Sequence, residues 1–249
     1  MTTPIPGTSS GAPEGAPWHL WGFGAVIVVL VVQVASTVAV RLDATRTVEL
    51  GGWGALLLAA VPSTAAALVT FIVTRARGNG LRMDLGLDWR VQDLRVGTAC
   101  GLLALVVSVP WAALVGAPDG GSTVGTLVVK GHPSVPVAFA VCAYVALLGP
   151  IFEELVYRGL VWRAVERQQL RSARFRRFAA FILSTVLFAV SFVEPSRIPL
   201  LLVLGIPFGL ARLATGRLLA SVVAHQVSNF LPALSVLLAA LGYRPDGSA

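Results

Sequence analysis

Seven long apolar runs, parted by short polar stretches, organise the chain at about 21–40, 53–74, 95–115, 134–157, 178–193, 199–213 and 218–241. A bilayer's hydrocarbon core takes about 20 helical residues to cross. Lipid offers no partner for free backbone groups, so each run must be helical. The pattern therefore predicts an all-α polytopic transmembrane bundle of about seven spans, within a range of six to eight. The fifth and sixth runs are short for a span and read as tilted or partly re-entrant. The organisation is one membrane domain over 21–241, a disordered tail over 1–20 rich in Pro, Gly, Ser and Thr, and a short tail over 242–249. The first run is too long, and lacks the preceding positive charge, for a signal peptide.

Composition supports this class. The chain is 56% hydrophobic and 12% charged, against about 25% charged in a soluble domain. Its net charge of +7 is almost all arginine, Lys130 being the one lysine. Because the arginines lie between apolar runs, they suit membrane lipid headgroups and not nucleic acid. The bias to Arg and Ala over Lys fits a GC-rich bacterial genome. Cys100 and Cys142 lie inside apolar runs and read as small buried residues.

Charge also sets an expected orientation. The stretches 75–95, 158–177 and 212–217 carry 14 of the 19 positive residues, so their side is expected to be cytoplasmic. A multi-pass cell-membrane protein follows, with its N-terminus inside and its C-terminus outside. The stretch 75–95 mixes Arg and Asp with Leu and Trp, as an interfacial segment does. Arg163, Arg167, Arg171 and Arg174 form a cationic stripe. It reads as structural anchoring or, more sharply, as a substrate-docking face.

Of the acidic residues, only Glu153 and Glu154, in "GPIFEELVYRGL", sit well within a run. A carboxylate in the membrane is costly and usually functional. Arg158, four residues after Glu154, shares its helix face and can neutralise it. Glu153 is turned about 100° away and has no cation nearby in sequence. Such a group suits a general base acting on water; the alternative is a purely structural cluster. A second polar island, "VVAHQVSNF", places His225 and Asn229 on one face of the last run. Both could donate to a developing oxyanion. His19 and His132 lie outside the runs. Both islands are expected in the arginine-rich half, where they could share one cavity. A proton-relay or transport role is the third reading of the same groups.

These motifs carry a resemblance. "EELVYRG" resembles the EExxxR signature of the CAAX protease and bacteriocin-processing (CPBP, or ABI) family, and "HQVSN" resembles its HxxxN signature. Between them, "STVLFAVSF" lies where that family has SxxxFxxxH, with Ser184 and Phe188 matching and Phe192 at the histidine position. The resemblance covers about 75–235. It implies a hydrolase, a glutamate-dependent intramembrane endopeptidase with a cytosol-facing cavity. Glu153 would activate water, Glu154 and Arg158 would position it, and His225 and Asn229 would stabilise the oxyanion. Phe188 and Phe192 would line the cavity. The peptide or protein substrate is not specified. Zinc enters only through the family's metalloprotease-like label; Phe192 has no donor atom, so no metal ligand set is assigned. The alternative is a catalytically impaired member acting as a membrane peptide-binding or self-immunity protein.

Overall fold

The computed structural model describes residues 22–43, 49–78, 80–115, 122–131, 133–170 and 172–243. The expected tail over 1–20, most of the C-terminal tail, His19, His132 and Arg171 lie outside them. The described residues form helices and no strand. We number them α1 (Phe23–Leu42), α2 (Gly52–Arg77), α3 (Leu81–Leu85), α4 (Val91–Val115) and α5 (Thr123–Gly131). There follow α6 (Val135–Glu166), α7 (Ala173–Ser191), α8 (Ile198–Thr215) and α9 (Leu218–Ala240).

The protein is an all-α polytopic membrane bundle. Six helices are long and apolar enough to cross a membrane, namely α1, α2, α4, α6, α8 and α9. Thus the expected seven becomes six by this measure. The helix left out is α7, which carries Arg174, Arg176 and Arg177 near its start. It still joins the arginine-rich end of α6 to the far end of α8. Its 19 residues span roughly 28 Å at 1.5 Å per residue.

Inside lipid, burying apolar surface gains little, so helices associate through close backbone approach and polar contacts. Both are visible. Gly97 and Gly101, one turn apart on α4, face the Ala220 and Ala224 carbonyls and the Val223 and Val227 side chains of α9. A Cβ at either glycine would come within 2.6–2.7 Å of them. The polar ties are spread along the bundle. Tyr144 Oη hydrogen-bonds Ser63 at 2.8 Å and Thr64 at 2.9 Å, pinning α6 to α2. Arg217, before α9, donates two arms to Asp93 on α4 at 2.7 and 2.9 Å.

The stretch expected to lie along the headgroups is partly inserted. Leu85 and Asp84 of α3 are buried, while Met83 and Trp89 are exposed. Gly86, at φ 70°, ends α3 in the left-handed conformation. Its carbonyl accepts from the Leu218 N–H at 3.0 Å and so anchors the start of α9.

Candidate active site

The site is made where α6 and α9 lie alongside. α6 is not a uniform α-helix: it widens to π-helical turns at Tyr144–Leu148 and Leu155–Val161, on either side of Gly149–Glu154. Turns of this kind re-aim side chains and carbonyls and are common at functional sites. The first releases carbonyls that α9 uses. Gln226 Nε2 donates to Leu147 O at 2.9 Å, and Asn229 Nδ2 donates to Val145 O at 3.1 Å. His225, one residue before Gln226, reaches Glu154 Oε1 through Nδ1 at 3.0 Å. The polar residues of "HQVSN" thus dock α9 onto the widened helix. Gln226 was not singled out by spacing, since it lies about 100° off the face of His225 and Asn229. Only the widening of α6 brings a carbonyl under it.

The two adjacent carboxylates have different surroundings. Glu154 is fully buried, and its Oε1 accepts from Arg158 Nη1 at 3.0 Å as well as from His225. A carboxylate only accepts, so Nδ1 carries the proton in this contact. Arg158, also fully buried, donates through Nη2 to Gly205 O on α8 at 2.9 Å. The i,i+4 pairing read from sequence is therefore present, and it also ties α6 to α8. Glu153 points elsewhere. Its side chain is 13% exposed and its Oε2 stands 3.7 Å from His225 Nε2. His225 therefore lies between both glutamates, a partner for Glu153 that sequence distance concealed.

Aromatic rings fix this arrangement. The His225 ring stacks on Phe208 at 4.4 Å and meets the edge of Phe188 at 5.5 Å. The Arg158 guanidinium lies 4.9 Å from the Phe188 centroid and 5.7 Å from that of Phe208. One pair of rings holds both the imidazole and the cation. Phe192 packs against Phe188 at 5.2 Å. Ser184 turns away, its hydroxyl donating to Phe181 O at 3.2 Å.

Glu153, His225, Ser228, Asn229, Phe188 and Phe192 line one cavity of about 390 Å³. Glu154 and Arg158 are sealed behind them. From Glu153 and His225 the cavity runs past Tyr144, Leu200 and Pro232 to Arg41, Ser122 and Arg197. Those last residues belong to the helix ends joined by 43–51, 116–134 and 192–197. That end is opposite the arginine-bearing stretches 75–95, 163–177 and 212–217. His225 is near the arginine-rich start of α9, but the space beside it extends the other way.

An ion-pair cluster lines the far end of the cavity. Glu194 accepts from Arg41 at 2.8 Å and from Arg197 at 2.6 Å. Arg41 also donates to the Phe192 carbonyl at 3.4 Å. Between Phe192 and Glu194, Val193 has a φ of 55°, a costly conformation for a β-branched residue. Glu194 is held below the usual carboxylate range. Burial alone would raise it, but the charge of Arg197, the hydrogen bonds from Thr123 N–H and Arg197, and the charge of Arg41 outweigh that effect.

A metal does not fit these donors as a closed set. His225 Nδ1 and Glu154 Oε1 are committed to each other, Asn229 Oδ1 accepts from the Ser228 hydroxyl at 3.4 Å, and Phe192 offers no ligand atom. The imidazole and carboxylate donors that face the cavity are His225 Nε2 and Glu153, with Glu154 Oε2 unpartnered but sealed behind them, fewer than the three protein ligands of a catalytic zinc site. Among the described residues, no three of His, Cys, Asp and Glu are grouped to hold an ion.

Comparison with known proteins matches residues 135–231 to the family described as Type II CAAX prenyl endopeptidase Rce1-like. Neither a curated protein nor a solved structure matches the chain.

Proposed function

We propose that the chain is a CAAX-protease-like membrane endopeptidase, a reading supported by the match of residues 135–231 to the Rce1-like family, and that its mechanism uses Glu153 and water. The observation that carries it is the split between the two glutamates. Glu154 is neutralised on both sides, whereas Glu153 faces a cavity and, among the described residues, pairs with His225 alone, at 3.7 Å. A water in that cavity gives a proton to Glu153 and attacks the peptide carbonyl. Negative charge on the carbonyl oxygen is met by the second N–H of Asn229 and by the His225 imidazole. Glu153 then returns the proton to the leaving amine. Arg158 and Glu154 touch no reacting atom; they hold His225 and the helix in position. No step is routed through a metal.

The test is hydrolysis itself. Purified protein in proteoliposomes is incubated with a defined peptide pool in ¹⁸O-water, and new termini are read by mass spectrometry. The proposal expects one ¹⁸O in each new carboxylate. Cleavage without ¹⁸O, or no cleavage across the pool, contradicts it.

One observation favours a second reading. Phe192 puts an apolar ring against Phe188 at the cavity wall, at the position of the histidine in the SxxxFxxxH motif that 184–192 resembles. A chain lacking that imidazole would hold a peptide without cutting it, in a membrane peptide-binding or self-immunity role. Binding of a peptide from the same pool without new termini is its signature.

A further inference from the structure

At the arginine-rich end, away from the cavity of Glu153, lies a second hollow of about 360 Å³ lined by Met83, Arg163, Glu166, Arg167, Arg176 and Arg177 and by Ala173 at the start of α7. We propose that it binds the phosphate headgroup of an anionic membrane lipid.

The first argument is charge. Arg163 pairs with Glu166 at 2.9 Å, Arg177 stands 4.0 Å from the same carboxylate, and Arg167 pairs with Asp84 at 2.7 Å. Arg176 donates to the Leu170 carbonyl at 3.4 Å. Four guanidinium groups thus meet two carboxylates, which leaves cationic charge in excess around a concave surface. The second argument is polarity of the helix. Arg176 and Arg177, which line the hollow, occupy the first turns of α7, whose first turn holds no acidic residue. A helix N-terminus is the positive end of its dipole and favours anions. Cations gathered there repel both one another and the helix end, and a bound anion removes both conflicts. The third argument is an unmatched donor: the Nε of Arg163 is buried without a partner.

Place selects a lipid over a free phosphate. This end of the bundle is where the apolar spans give way to charged segments, at headgroup depth. Met83 on the rim is exposed. From the same arginine-rich start, α7 presents exposed Phe178, Ile182, Val186 and Val190 at four-residue spacing, a lane for an acyl chain. Arg176 and Arg177 would grip the phosphate oxygens as charge-assisted donors. Arg163, held by Glu166, would form the floor.

The test uses the full-length protein in detergent, titrated with phosphatidylglycerol and with phosphatidylcholine of the same chains and followed by native mass spectrometry. One phosphatidylglycerol should bind saturably and outcompete phosphatidylcholine. The double variant Arg176→Gln, Arg177→Gln should weaken it by about tenfold or more, at about 1 kcal/mol per basic residue. Arg174→Gln, on the same helix but outside the hollow, should leave it unchanged. A lysine pair at 176 and 177 keeps the charge and should retain most binding, which separates ligation from misfolding. Equal losses in all variants would reduce the site to diffuse surface charge and overturn the proposal. Displacement of the lipid by millimolar glycerol phosphate would overturn the choice of lipid over free phosphate.

Discussion

The arginine-rich end and the middle of this bundle handle charge in opposite ways. At the arginine-rich end, carboxylates are matched to arginines near the rim: Asp93 to Arg217 and Asp84 to Arg167. In the middle, Glu154, Arg158 and His225 form a closed set with no solvent exposure to speak of, and Glu153 is left over at the edge of a void. In the rim pairs the aspartates are buried but the arginines retain partial access to water, so these pairs can be partly screened. The inner set cannot, since removing one member strands a charge in a dry place. The difference separates fastening from chemistry: a matched pair fastens, while an unmatched acid beside water can react.

Arg158→Leu breaks that comparison most severely. It leaves Glu154 buried with only His225 and frees the Gly205 carbonyl, so it should cost about 3–5 kcal/mol of stability, read by unfolding in mild detergent. Phe192→His should come next. An imidazole at the cavity wall, beside Phe188, should raise peptide hydrolysis roughly tenfold or more. An unchanged rate would show that the ring at 192 has no part in water activation. Arg217→Gln tests the rim. It should lower the melting temperature less than Arg158→Leu, and added salt should narrow its gap to the parent while leaving the Arg158 gap intact.

The smallest effect is expected from acid at Glu194. Its folded pKa lies below its unfolded value. Its contribution is therefore full above the ordinary glutamate pKa of about 4.3 and is lost as pH falls through the folded value. Glu194→Gln should flatten that acidic limb of a melting-temperature profile. Retention of the limb would assign it to another carboxylate.

Much of this was legible from the chain. Long apolar runs in lipid leave only helix as an option, so α1, α2, α4, α6, α8 and α9 were found near their observed bounds. Glu154 with Arg158, and His225 with Asn229, were paired by a four-residue period that geometry fixes. What spacing could not reveal was contact between helices. The bridging of both glutamates by His225, the clamp of Phe188 and Phe208, and the bond from Gln226 depend on how α9 settles on π-helical turns of α6. Nor could arginine counting locate the cavity. Charge in loops reports orientation, whereas the void depends on how the helices pack, and here it runs toward Arg41, Glu194 and Arg197. The close approach of Gly97 and Gly101 to α9 was present as spacing, but it acquired meaning only with a partner helix in view.

The central claim is that neighbouring glutamates have separate duties, and a paired measurement of Glu153→Gln and Glu154→Gln tests it most directly. Melting temperature and peptide cleavage are recorded for both variants beside the parent. Glu153→Gln should melt with the parent and cleave nothing, while Glu154→Gln should melt well below it. Parental cleavage by Glu153→Gln, or a larger loss of stability from Glu153→Gln than from Glu154→Gln, would contradict the account.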